Sequence, residues 1–218
     1  MIKPILRLIL GALIFMIPFN LFAFEIKSGD VILLPLNCRS CDVIASETEG
    51  NFSHSGVVLR HEGEFVVLEA LSKVRMVPLD KFLRRTAHSK EAVIMRSKEF
   101  ELWNQEELNA ALYFEFSKIE GNGFDYAYRW DNYDEQGREL FYCSEFVAKI
   151  FNPLLKNGLE TYPMDFSKNW EYWYRAFGGN VPQGLPGNSP NELYRDHSRL
   201  KVVAKILHQS GKLIVRTK

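Results

Sequence analysis

Residues 141–151 read FYCSEFVAKIF, with apolar side chains at helical spacing behind a cysteine, a serine and a glutamate. The pattern predicts a helix that opens at Cys143. A thiol in that position is activated by the helix dipole, which favours the thiolate, and the backbone N–H groups around it are donors for an oxyanion. To act as a nucleophile it needs a base, and the chain offers five histidines: His54, His61, His88, His197 and His208. His54 stands apart. In FSHSGVVLR it lies between Ser53 and Ser55 and ahead of Gly56, small neighbours that leave room for a helix end and a substrate. The other four fall in a turn or in polar stretches. Cys143 with His54 would perform nucleophilic attack on a carbonyl, the imidazole serving as general base.

An imidazole also needs a third group to set its tautomer and orientation. Glu69, in the apolar run VVLEAL, is costly to bury unless paired, and its strand folds back beside the one bearing His54. Whether the two meet depends on register, and His61 or a solvated strand-end carboxylate are the alternatives. Glu145 suits the first turn of the cysteine helix electrostatically, a structural use.

The elements that must position these residues are legible in outline. Residues 31–36 read as a buried strand, HSGVVLR and EFVVLEA as a hairpin turning at Gly63, and residues 74–79 and 91–97 as further strands. DKFLRRT (80–86) is a short helical turn with Arg84 and Arg85 solvated. Residues 104–121 carry Leu108, Ala111, Leu112 and Phe116 at helical spacing, with acids in the first turn and Gly121 at the end, and predict a helix. Residues 37–51 and 121–140 read as loops. Beyond residue 153, Pro, Gly and aromatic clusters predict an irregular cap, closed by a strand pair at VVAKIL and KLIVR. In that cap Trp170, Tyr172, Trp173, Tyr174 and Phe177 would line an apolar groove or pack the core.

The chain has 218 residues, enough for one ordinary domain. Lys plus Arg and Asp plus Glu both number 27, so no basic surplus exists to neutralise a phosphate backbone, and nucleic acid is not an expected partner. Lys3 and Arg7, the apolar run Leu8 to Phe19, and Pro18 and Asn20 ahead of Ala23 have the layout of a secretory signal peptide over residues 1–23. The run is about a dozen residues against the ~20 of a membrane span. The remaining residues, 24–218, are then a single domain in a periplasmic or secreted protein. Export permits disulfides. Of three cysteines, Cys38 and Cys41 in NCRSCD are close enough to pair, which leaves Cys143 over. Free loop thiols and a redox motif are the other readings of CRSC, though a thioredoxin-like site would open a helix and this stretch reads as loop. No second CxxC or HxxxH completes a zinc site, so no metal is expected, and no cofactor.

GDVILLP, SHSGVVL, VLEA, FDYAYR and YCSEFV, in this order, resemble the circularly permuted papain-like hydrolases, the YiiX-type branch of the NlpC-like superfamily. In ordinary papain-like enzymes the cysteine helix precedes the histidine strand; here it follows. The resemblance covers roughly residues 27–150. It implies an α+β papain-like fold, circularly permuted, with an antiparallel sheet or barrel packed against the cysteine helix. It implies Cys143 as nucleophile, His54 as base and Glu69 as third member, with Asp125, Tyr126 and Tyr142 bordering the substrate. The expected activity is thiol hydrolysis of an amide, in a cell-wall peptide or a lipid-linked acyl group, in association with the wall or a membrane surface. A non-catalytic lipid- or peptide-binding module on the same fold is the alternative.

Overall fold

The computed structural model describes residues 25–217; the proposed signal peptide, residues 1–23, lies outside them. In chain order the elements are β1 (Asp30–Leu34), α1 (Arg39–Glu47), β2 (His54–His61), β3 (Glu64–Leu71), β4 (Lys73–Pro78), α2 (Leu79–Leu83) and β5 (Glu91–Ser97). After a 3₁₀ turn come α3 (Gln105–Ser117), α4 (Cys143–Phe151), the two-residue β6 (Tyr162–Pro163), α5 (Trp170–Ala176), β7 (Pro186–Gly187), α6 (Pro190–Arg195), β8 (Leu200–Gln209) and β9 (Lys212–Thr217).

Seven strands form one antiparallel sheet in the order β4-β3-β2-β1-β5-β8-β9. Its order is linear, so it is an open sheet rather than a closed barrel. The hairpin β2–β3 turns at Glu62 and Gly63, with φ of 50° and 87°, the doubly left-handed geometry that matches strand twist. Strand alternation divides the apolar residues between two faces. On one, Val57, Leu59 and Leu68 pack with Leu108, Leu112 and Phe116 of α3 and Phe146, Val147, Ile150 and Phe151 of α4. On the other, Val58, Val67 and Ile94 pack with Phe82 and Leu83 of α2. The helix bearing Cys143 and the strand bearing His54 are thus locked by the first core.

The predicted α+β class and the strand order along the chain agree with this architecture. Residues 37–51 do not: they contain α1, where a loop was expected. The helix escapes an apolar-periodicity reading because Cys41 is its one buried residue. It is held instead by polar contacts. Glu47 accepts hydrogen bonds from the N–H groups of Lys168 (2.8 Å) and Asn169 (2.9 Å), from Asn169 Nδ2 (2.6 Å) and from Trp173 Nε1 (3.0 Å). The expected irregular cap also holds two short helices and a small strand pair.

Candidate active site

Cys143 is the first residue of α4, preceded by Tyr142 in extended conformation, so its amide and that of Ser144 lie among the first-turn donors that have no helical acceptor. His54 begins β2 and is 2% exposed. Its Nε2 lies 2.6 Å from Glu69 Oε2. That contact leaves Nδ1 as the ring nitrogen free to face the nearby Cys143 thiol, whose charge and hydrogen-bonding capacity act on the ring. Register explains the carboxylate. Val57 pairs with Leu68 and Val58 with Val67, and continuing that ladder sets Glu69 opposite Gly56, diagonal to His54 and on the same face.

Glu69 is fully buried yet triply held. Arg85 Nη2 reaches Oε2 at 2.6 Å, and Arg75 approaches Oε1 through Nε at 3.0 Å and Nη2 at 2.9 Å. Burial alone would raise its pKa, but the His54 and Arg85 contacts outweigh this and bring it down to about 2. It is an anion at any physiological pH. Arg85 was expected to be solvated; instead its guanidinium pairs with Glu69 and lies 4.7 Å over the Phe82 ring. Neither arginine announces this role in the sequence, because each reaches Glu69 from a different element.

Burial disfavours the charged form of both partners in the Cys143–His54 pair. It is overcome in each case by the other partner. Hydrogen bonding and charge from Cys143 and Glu69 raise the His54 pKa. Those from His54, with the Ser55 side chain and backbone, lower that of Cys143. Ser55 Oγ is buried without a hydrogen-bond partner of its own, close enough to Cys143 to favour its thiolate. The arrangement favours a thiolate–imidazolium pair.

The sulfur opens into a cavity of about 470 Å³. Apolar walls come from Leu36, Ile44, Leu71, Phe124, Met164, Phe166 and Trp173, and polar groups include Glu47, Glu192, Arg195 and Asn188. Tyr142 lines it, and its hydroxyl accepts the Asn188 N–H at 3.1 Å. The other two residues expected to border substrate, Asp125 and Tyr126, are not in its lining. Asp125 is fully buried and accepts from the N–H groups of Ala127 and Arg129 and from Asn132 Nδ2, which folds its own loop. Tyr126 is 71% exposed and outside the lining, because that loop turns it to solvent. The neighbouring Tyr128, in left-handed backbone with φ of 50°, lines the cavity instead, and burial lifts its phenol pKa so that it stays neutral. Of the aromatic tail residues, Trp173 lines the cavity while Trp170 and Tyr174 are exposed.

Glu145 is a structural acid, as expected, but a buried one. It accepts the N–H groups of Tyr142 (3.4 Å) and Asp131 (3.2 Å), and burial pushes its pKa up to about 8. Cys38 and Cys41 form a disulfide, and Cys143 is free.

A cysteine helix behind a histidine strand, joined by one antiparallel sheet, defines a permuted papain-like protein. The profile of the family described as permuted papain-like amidase enzyme, YaeF/YiiX, C92 family, matches residues 25–203, and the chain belongs to that family. The family is one of amide-hydrolysing thiol enzymes. Among curated proteins, the chain is 23% identical over 205 residues to YiiX of Escherichia coli strain K12, covering 91% of this chain and 95% of that protein. Among solved structures it is similar to YiiX from Escherichia coli O157:H7, with a TM-score of 0.72 and 22% identity over 84% of this chain and 99% of that one. That YiiX structure is described as one of a metalloprotein. In this chain no group of three or more His, Cys, Asp or Glu side chains converges as a metal site among the described residues.

Proposed function

We propose that this protein is an exported thiol amidase that cleaves an amide with an apolar acyl group. Cys143 is the nucleophile, His54 the general base and acid, and Glu69 the residue that positions the imidazole. The observation that carries the reading is the chain of contacts from thiol to imidazole to a carboxylate fixed by two arginines. The Cys143 thiolate attacks the carbonyl carbon, and the oxyanion takes the amides of the first turn of α4. The His54 imidazolium gives its proton to the leaving amine as the C–N bond breaks, leaving a thioester. His54 then takes a proton from water, whose oxygen attacks the thioester and releases the acid and the thiol. The apolar walls around the sulfur favour a lipid-linked acyl amide over a cell-wall peptide.

Iodoacetamide labelling at pH 6 tests the pair. The expected result is modification of Cys143 at least tenfold faster than a free thiol, lost in His54→Ala, because burial then acts on a sulfur that has only Ser55 to oppose it. Labelling at an ordinary thiol's rate in both proteins would leave a binding module as the better reading. Incubation of the wild type with a long-chain N-acyl amine should give a thioester adduct in acid-quenched mass spectra, absent in Cys143→Ser.

A further inference from the structure

The Cys38–Cys41 disulfide stands in the wall of the same cavity as Cys143. CRSC opens a helix after all. Cys38 is the N-cap of α1, and its Sγ accepts the Cys41 N–H at 3.1 Å. The two sulfurs are unequally placed: Cys38 is exposed, whereas Cys41 is 6% exposed. As a staple the bond achieves little. It joins residues three apart within one helical turn, links no two elements, and closes so short a loop that it constrains the unfolded chain least. Other contacts already hold α1, namely the four bonds accepted by Glu47 and the Tyr172 hydroxyl donating to Ser40 Oγ at 2.8 Å.

We propose that this pair is a redox-active disulfide, a second activity at the mouth of the amidase cavity, exchanging with small thiols of the glutathione or cysteine class. An incoming thiolate attacks the exposed Cys38 Sγ. The Cys38–Cys41 bond breaks, a mixed disulfide forms on Cys38, and Cys41 leaves as a thiolate that takes a proton. A second thiolate attacks the small-molecule sulfur of the mixed disulfide, giving the small disulfide and freeing Cys38. Two small thiols are thereby oxidised by two electrons, and the protein disulfide is reduced to a dithiol. Cys38 is a good leaving group in that last step because the Cys41 N–H and the α1 N-terminus stabilise its thiolate. Since both sulfurs line the cavity, exchange alters the wall that substrate meets. The inference is independent of the amidase reading.

The test uses the full chain as Cys143→Ser, so that only this pair reports. The folded protein is incubated with millimolar reduced glutathione at pH 7, acid-quenched, blocked with a maleimide and weighed. We expect two labels per chain within minutes, and their loss when oxidised glutathione is added. A chain that takes no label over hours, and takes two only after denaturant, overturns the proposal. In Cys41→Ser, folded by circular dichroism, Cys38 should react with iodoacetamide at pH 7 at least tenfold faster than glutathione does. An equal or lower rate removes the activation by the helix.

Discussion

Glu69 has no solvent to stabilise its charge, and it keeps that charge because three cationic or protonatable side chains converge on it. Glu69→Gln preserves size and removes the charge. With it goes part of what holds the His54 pKa above its ordinary value, so burial prevails and the imidazolium loses its proton at lower pH. The alkaline limb of the kcat/KM profile should move down in pH, and the rate should fall by roughly two to four orders of magnitude, as for other misoriented catalytic histidines. A fall in rate with an unmoved limb would make Glu69 merely structural. Ser55→Ala isolates a smaller effect. It removes an oxygen that is buried without a conventional partner and that favours the thiolate. Iodoacetamide labelling at pH 5 should slow several-fold, with the denaturant midpoint unchanged or slightly raised.

Among the elements, β2 does the most with the fewest atoms. A Cβ at Gly56 would sit 2.5 Å from Val67 Cγ1 and 2.9 Å from the Leu68 carbonyl oxygen, so this residue must be glycine for β3 to approach with Glu69 in place. Gly56→Ala should destabilise the fold by about 1–3 kcal/mol, read as a lower urea midpoint, with a larger proportional loss of activity. The strand and its histidine were legible in HSGVVLR because small residues, β-branched residues and a turn signal coincide there. The cysteine helix was legible from its apolar spacing. The Glu69 contact was legible only as one of several options, since it depends on a register that a sequence does not print. What stayed hidden is polar and long-range. Helix α1 packs through Glu47 against residues more than 120 positions away, and Arg75 and Arg85 look like surface cations until the sheet brings them to one carboxylate. Asp125 and Tyr126 fall outside the cavity lining for a related reason: an aromatic and acidic loop resembles a pocket wall, but this one spends its aspartate on its own turn.

For the molecule as a whole, buried acids with opposite shifts bound the pH range of stability. Glu69 falls to about 2 from an ordinary 4.5. Between those values the unfolded chain binds more protons than the folded one, so stability contributed by this residue is present above pH 4.5 and is lost as pH drops toward 2. Glu145 behaves oppositely, rising from 4.5 to about 8 through burial. Between 4.5 and 8 the folded chain holds a proton that the unfolded chain has released, so stability falls as pH rises through that range. Burial raises the pKa of Glu192 in the same direction. The melting temperature should therefore be highest near pH 5 and decline on both sides. Glu145→Gln has no proton to lose, and it keeps one of the two oxygens that accept from Asp131 and Tyr142 while replacing the other with an amide nitrogen that cannot accept. Relative to wild type it should cost some stability at pH 5 through the lost acceptor and gain roughly 1–3 kcal/mol on going from pH 5 to pH 9, a change in slope measurable by thermal melts across buffers. Parallel slopes in the two proteins would mean that Glu145 titrates near its ordinary value and that the first turn of α4 carries a charge beside Cys143.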